Sequence, residues 1–511
     1  MLVQLPTELL LSIAPYLSNR DLNALAQTST HMFRLYDDYL YRRDAVKGSA
    51  LLWAAKCNQI QTAKKALAAG TTVACPGTAK RGNPGENPAP CSAPLRGRRQ
   101  LDSLPCWILS EAAACSSDEI VELLLDMPSV DVNHLDVGGG TPIFDAILLG
   151  SISTLKLFLS SDRVDGNARN NSGHTPLILA VINASAVEKA RVLIGCDRVD
   201  PDIACNAERT PLSYAAAFGD VDTAELLLRT GRVELNRKDD TGRTPLAWAA
   251  ENCQSGTIKL LLETEGVDPN IRDYPGGWTP LNLAIVSNWD ESGNAAIGLL
   301  VNHEAVDLNA KTENITPLMY AALHDRRAQV EQLMDSGRVD PNAIGCEGLT
   351  ALHVAAGREP AEIVEVLLRY DAVDCNIKCS IGFTPLAVAA HYGNTAAVTM
   401  LLQSGRVADL NERCGDSGRT SLWWAAARNH GAAVDAFLSH GGVDINLEDD
   451  FGKTPLSIAR EKGHKKVASV LRRYMDRDRH VYPLPTKPWT FEDVEVEEEG
   501  VLGVFFSLET E

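Results

Sequence analysis

Apolar positions along this chain fall into pairs of short helical stripes, and each pair is followed by a polar turn. From Asp239 to Asn270 the sequence reads DDTGRTPLAWAAENCQSGTIKLLLETEGVDPN. Leu246, Trp248, Ala249 and Ala250 make the first stripe, with small residues where a neighbour must come close. Ile258, Leu260, Leu261 and Leu262 make the second. Gly242 permits a tight turn at positive φ. Thr244 is placed to cap the first helix with its hydroxyl, and Pro245 falls at the first helical position, where its missing N–H costs nothing. Ser255-Gly256 is expected to separate the two helices and Gly266 to end the second. Neither helix is long enough to be stable alone, so each needs burial against a stacked neighbour.

This pattern recurs. A threonine-led triplet begins a new unit at Thr141, Thr175, Thr210, Thr244, Thr279, Thr316, Thr350, Thr384, Thr420 and Thr454, with gaps between 34 and 37 residues. Eight copies read Thr-Pro-Leu or Thr-Pro-Ile, whereas Thr350-Ala351-Leu352 and Thr420-Ser421-Leu422 lack the proline. A constant period of this size implies stacked repeats sharing one elongated core. It also implies a long surface for partners in place of a closed reaction site.

Composition narrows the functional class. Of 511 residues, 45% are hydrophobic and 23% charged, which suits an ordered chain. A formal net charge of −19 argues against nucleic acid as the main partner, because phosphate neutralisation needs surplus Lys and Arg. The twelve cysteines show neither Cys-x-x-Cys pairs nor zinc-ligand spacing, and Cys375 and Cys379 read as isolated fillers. No secretory leader or run of about 18 apolar residues is evident, so a reducing cytoplasm or nucleus is expected and no membrane. Phosphate-cradling, His-Glu-x-x-His and Gly-x-Ser-x-Gly patterns are absent. His353, His391 and His430 fall at repeat positions suited to turns and caps, and Asp449-Asp450 to a turn. No catalysis, metal or cofactor is expected.

The run GRTPLAWAA…LLLETEGVDPN resembles the ankyrin repeat. Its exit recurs as Val130-Asp131-Val132-Asn133, Val233-Glu234-Leu235-Asn236, Val306-Asp307-Leu308-Asn309, Val339-Asp340-Pro341-Asn342, Val373-Asp374-Cys375-Asn376 and Val443-Asp444-Ile445-Asn446. Two further units precede the first triplet: a degenerate one at 49–70, containing Leu51-Leu52-Trp53-Ala54-Ala55, and another from Cys106 to Asn133. The resemblance implies an all-α solenoid of about twelve helix-turn-helix repeats, the main array spanning 106–475. A Pro/Gly-rich basic stretch at 71–105, with Arg96, Arg98 and Arg99, is expected to be a mobile insertion. Lys465, Lys466, Arg472 and Arg473 make the last unit polar, as a terminal repeat requires. The tail at 476–511 is acidic and broken by Pro483, Pro485 and Pro488; it is expected to be disordered.

Residues 1–45 follow a different pattern. Leu9, Leu10, Ile13 and Leu17 recur at helical spacing after Pro6-Thr7. Leu22, Leu25 and Ala26 form a second stripe, and Met32, Phe33, Leu35, Tyr36, Tyr39 and Leu40 a third. Three helices this short bury too little to stand alone comfortably. The order LPTELLLSIAPYL followed by DLNALAQTS resembles the F-box, and an F-box ahead of ankyrin repeats is similar to fungal proteins of that architecture. What the resemblance implies is a recruiting role: the F-box holds a Skp-family adaptor within a cullin ligase core, and the repeats hold a protein target. Carried over by position, adaptor contacts come from Leu5, Pro6, Glu8, Leu9, Ile13, Leu17, Leu22 and Leu25. Pro15 departs from the pattern, because a proline inside a helix costs about 3 kcal/mol unless the helix kinks or ends.

In ankyrin-like solenoids the turns and first helices line a concave groove. The position four residues after each threonine is occupied by Asp145, Leu179, Tyr214, Trp248, Leu283, Tyr320, Val354, Val388, Trp424 and Ile458. The aromatics among them, Tyr214, Trp248, Tyr320 and Trp424, together with Trp423, are candidates for the target groove, since aromatics anchor partner interfaces; packing between repeats is the other use for each. Two functions follow from the whole: a ubiquitin-ligase substrate receptor, monomeric outside its ligase, or an ankyrin scaffold with no part in ubiquitin transfer.

Overall fold

A computed structural model describes residues 49–69, 108–287 and 291–477. Residues 1–45, 71–105 and most of 476–511, on which the head, insertion and tail expectations rest, lie outside the described residues. The described chain is all-α, with twelve helix pairs in succession. The chain divides into two compact units, Met1–Ala249 and Ala250–Glu511.

The first unit contains α1 (Ser49–Cys57), α2 (Ile60–Ala68), α3 (Ile108–Ala114), α4 (Asp118–Leu125), α5 (Pro142–Leu148), α6 (Ile152–Ser160), α7 (Pro176–Ile182), α8 (Val187–Ile194), α9 (Pro211–Phe218) and α10 (Val221–Arg229). First helices pack on first helices, α1 on α3, α3 on α5, α5 on α7 and α7 on α9; second helices do the same from α2 to α10. The division falls within α11 (Pro245–Glu251).

In the second unit the pairs are completed by α12 (Ser255–Leu262), α13 (Pro280–Ser287), α14 (Glu291–Asn302), α15 (Pro317–Leu323), α16 (Arg327–Asp335), α17 (Ala351–Ala356), α18 (Glu362–Leu368), α19 (Pro385–Tyr392), α20 (Thr395–Gln403), α21 (Ser421–Ala427), α22 (Gly431–His440), α23 (Pro455–Glu461) and α24 (Lys465–Arg477). The same two-row stacking holds from α13 to α23 and from α12 to α24. A two-residue antiparallel ladder, Arg413–Cys414 with Arg419–Thr420, tightens one turn.

Local chemistry explains the helix starts. The threonine hydroxyl accepts from the backbone N–H three residues on in nine of the ten triplets, at 3.2 to 3.5 Å. Thr141 makes no such cap. The helix separation expected at Ser255-Gly256 is corrected: Ser255 already begins α12, and the chain turns at Cys253, whose φ is 53°. Positive φ at Cys253 reverses the chain and Gln254 then flanks the start of α12, so the break comes earlier than the glycine.

The core of each unit is Leu, Ile, Val and Ala, with Phe158 and Phe437 fully buried. Cys375 and Cys379 are free and buried, as fillers should be. In α24, Val467 and Leu471 are buried while Lys465, Lys466, Arg472 and Arg473 are exposed.

The exit turns are tied by two side-chain rows. Asn133, Asn167, Asn270, Asn309, Asn342, Asn376 and Asn411 each donate from Nδ2 to a carbonyl in the next exit, at 2.7 to 3.1 Å. Each Oδ1 accepts from an amide two residues beyond that carbonyl, at 2.7 to 2.9 Å. Every amide thus spans one repeat boundary with both ends.

Arginines supply the second row. Arg163, Arg198, Arg232, Arg338 and Arg406 stand just before the exit valine and reach back to carbonyls at the end of the preceding second helix. Arg338 donates to Val301, His303, Glu304 and Val306 at 3.0, 3.0, 3.0 and 2.5 Å. Arg232 bonds Ile194, Asp197 and Val199 in the same way. A cation at a helix C-terminus meets the negative end of its dipole and satisfies carbonyls that the helix leaves open.

Candidate functional site

The eight adaptor candidates, Leu5, Pro6, Glu8, Leu9, Ile13, Leu17, Leu22 and Leu25, lie outside the described residues. The groove candidates can be placed. Tyr214, Tyr320 and Trp423 are buried, at 9%, 5% and 2% exposure, while Trp248 and Trp424 are half-buried. The first three are therefore packed between repeats, and the last two retain accessible surface.

In the first unit the row builds a stack. The repeats begun by Thr210 and Thr244 each carry an arginine just before the threonine and an aromatic four residues after it. The stagger between repeats brings the Arg209 guanidinium carbon over the Tyr214 ring at 4.2 Å and over the Trp248 ring at 3.8 Å. Arg243 stands over Trp248 at 4.9 Å. Phe218 extends the series, its ring 6.3 Å from that of Tyr214 and 21° from parallel. Cation–π contacts of this kind contribute about 0.5–2 kcal/mol each, more where water is excluded.

Beneath the stack, Asp239 is buried and fixes Trp248. Its Oδ2 accepts from the indole Nε1 at 2.7 Å, while Oδ1 accepts from Thr241 N, Thr241 Oγ1 and Arg243 N. The Tyr214 hydroxyl sits 3.3 Å from His174 Nε2 and 3.5 Å from Cys205 Sγ. Burial, helped by the Cys205 contact, pushes that phenol up to about 12, so it stays neutral. Burial and then Arg209 hold His174 below the usual imidazole range.

In the second unit the same register serves packing. Tyr320 lies against Trp278, with ring centroids 4.9 Å apart. Trp424 packs against Phe383 at 5.2 Å and His391 at 4.9 Å, and Trp423 meets it edge-on at 5.1 Å. Arg419 covers Trp423 and Trp424 at 4.3 and 5.0 Å, is itself buried, and approaches the buried Asp449 carboxylate at 3.8 Å.

The histidines have structural work, as expected for turns and caps. His353 completes a capping box with Thr350, and its Nε2 meets the Phe383 carbonyl at 3.0 Å; burial lowers it to about 4. His430 precedes α22 and reaches the His391 carbonyl at 3.0 Å. Asp449 Oδ1 accepts from Phe451 N and Lys453 N within its turn. Among the described residues no cluster of His, Cys, Asp and Glu could hold a metal, and no helix is long and apolar enough to cross a membrane.

Two features escaped the sequence. Trp53 on α1 is 53% exposed and, like Trp248, directly precedes an Ala-Ala pair. Registering the row on the threonine triplets left it out; registering it on the aromatic-Ala-Ala string finds it. The residue before the threonine was also passed over, although Arg209, Arg243 and Arg419 occupy it in three of the four aromatic repeats.

Comparison with known proteins adds two family matches. An ankyrin-repeat model of three copies matches residues 109–205, 186–273, 253–344, 327–414 and 404–479, and an F-box-like model matches residues 2–46. Among curated relatives, human neurogenic locus notch homolog protein 1 is 29% identical over 196 residues, covering 36% of this chain and 7% of that protein. Its zebrafish (Danio rerio) counterpart is 30% identical over 196 residues, covering 36% and 8%. The chicken (Gallus gallus) nuclear factor NF-kappa-B p105 subunit is 28% identical over 159 residues, covering 31% and 16%. The chain thus spans less than a fifth of the length of each of these relatives.

Proposed function

The chain belongs to the ankyrin-repeat family and carries an F-box-like domain ahead of its repeats, and on that premise we propose that it is the substrate receptor of a Skp–cullin–F-box ubiquitin ligase. Both modules are non-catalytic interaction modules, so the chain acts as a protein-interaction adaptor. The order of the two modules carries the receptor reading: a head of the F-box type in residues 2–46 and a target-binding array in 109–479.

In this reading the chain performs no bond chemistry. The head grips the Skp-family adaptor through Leu5, Pro6, Glu8, Leu9, Ile13, Leu17, Leu22 and Leu25, and the cullin core supplies the transfer machinery. The repeats keep a protein target close to it, which raises the effective concentration of acceptor lysines. The complex belongs in the cytoplasm or nucleus.

Capture of a recombinant Skp-family adaptor by the full-length chain tests the proposal. Leu9→Asp combined with Ile13→Asp should abolish capture and leave the helical circular dichroism of the repeats unchanged. Capture that persists in the double variant, or is missing from the parent chain, leaves an ankyrin scaffold without a ligase role.

A further inference from the structure

The last repeat breaks a register that the earlier ones keep. Six residues after the threonine, first helices of the second unit carry Ile285, Ala322, Ala356, Ala390 and Ala426, all buried. Thr454 is followed at that position by Arg460, which is exposed. Two residues after the threonine, Leu281, Leu318, Leu352, Leu386 and Leu422 are buried, whereas Leu456 is half-buried. The second helices show the same change. Asn394, His430 and His464 stand at equivalent places, each donating to a carbonyl of the preceding repeat. Four residues on from them come Val398, Val434 and Ala468, and eight residues on come Leu402, Leu438 and Arg472. The valines and leucines are buried, Ala468 is half-buried and Arg472 is exposed.

Cover at these positions is lost where no further helix pair follows among the described residues, so they mark the open end of the array. Because α23 and α24 pack on each other, Leu456, Ala468, Arg460 and Arg472 belong to one end face. Glu461, the acid beside Arg460, is held by Lys453 at 2.8 Å, and among the described residues neither guanidinium has an ion pair. Residues 453–477 hold eight Lys and Arg against two acids.

The chain itself carries a segment of the complementary kind. Residues 492–511 hold eight Asp and Glu with no Lys or Arg, and the acidic run ending at Glu499 is followed by Val501-Leu502-Gly503-Val504-Phe505-Phe506. Fourteen residues, 478–491, join this segment to the end of α24. Extended, they reach roughly 46 Å, while α24 is about 20 Å long, so the run can return to the end face.

We propose that residues 492–506 fold back onto the open end of their own array, with carboxylates of the acidic run on Arg460 and Arg472 and residues 501–506 over Leu456 and Ala468. The tail then acts as the last layer of the solenoid, supplying the charge and the apolar cover that the end face lacks. Its tether selects it over a separate protein: a joined segment is present at about millimolar effective concentration, so a contact too weak to hold a free peptide holds this one. No residue of the head takes part, so the contact is independent of the ligase reading.

Hydrogen exchange of the full-length protein, read by mass spectrometry, tests this. With Glu495, Glu497, Glu498 and Glu499 each changed to Gln, peptides covering 455–473 should exchange about three- to tenfold faster than in the parent, and peptides covering 317–335 should not change. These substitutions lie outside the array, so its folding is not at stake. Phe505→Ser with Phe506→Ser should give a similar acceleration. Arg460→Glu with Arg472→Glu should also speed exchange, and adding Glu495→Arg, Glu497→Arg and Glu499→Arg should recover most of the protection. Unchanged exchange in either tail variant, or a charge swap that recovers nothing, overturns the proposal. Protection that grows with protein concentration over about a fifty-fold range gives the face to a second copy and overturns it as well.

Discussion

Replacing Arg338 with alanine removes four hydrogen bonds to the carbonyls of Val301, His303, Glu304 and Val306. Those to His303 and Glu304 are exposed, and water takes them over at little cost. The bonds to Val301 and Val306 are part-buried, and a charged donor lost there costs about 1 kcal/mol each after solvent screening. Loss of a cation from the C-terminal end of α14 adds roughly 0.3–1 kcal/mol. The sum is about 2–3 kcal/mol, concentrated at one repeat boundary. Arg338→Lys keeps the charge but loses the planar fork, and should cost about half as much. Hydrogen exchange read by mass spectrometry resolves a local effect in an array that need not unfold in one step. Peptides covering 291–309 should exchange roughly 30- to 100-fold faster in Arg338→Ala, while those around Arg198, in the other unit, keep their protection. Protection within about threefold of the parent, or equal losses for alanine and lysine, would refute this account of the arginine row.

Further outcomes are expected elsewhere. Burial holds His353 near pH 4 in the folded chain, below its ordinary 6.5, so the unfolded state binds its proton first. Its stability contribution is complete above about pH 6.5 and is lost between there and pH 4, by roughly 3 kcal/mol; the urea midpoint of the parent should fall across this window more steeply than that of His353→Gln. Gly150→Ala should destabilise the first unit by 2 kcal/mol or more (on the order of an overpacked core), since a Cβ there overlaps the Ala113 carbonyl and stands 2.9 Å from Ala146 Cα; an unchanged melting temperature would refute it. Asn342→Ala removes a donor to Ala372 O and an acceptor from Asp374 N, both at 2.8 Å, and should cost about 1–2 kcal/mol in chemical denaturation, with Asn342→Asp recovering the acceptor half.

Much of the fold was legible because threonine, proline and glycine act through local chemistry. A hydroxyl three residues from an amide N–H and a fixed φ can be read without tertiary information, and nine of the ten threonines cap as their positions imply. The α11–α12 break was misplaced because glycine competes with other turn residues, and Cys253 adopts positive φ despite its side chain. The groove row was read in register but not in exposure. Whether an aromatic at that position is covered depends on the residue before the threonine of the preceding repeat: Trp278 against Tyr320, Arg209 against Trp248. Such contacts join residues 39 and 42 positions apart, and periodicity alone does not rank them. The arginine row was invisible for a related reason, since its acceptors are backbone carbonyls, which carry no sequence signature.

The asparagine amides hold a consequence for how such a chain changes over generations. Each clamp has its donor and acceptor in one exit and both partners in the next, so excising a whole period rejoins like to like and leaves every remaining clamp closed. A deletion of any other length strands an amide against the wrong carbonyl. Genes encoding this architecture are thereby free to lengthen or shorten in whole-repeat steps, and resist drift in between.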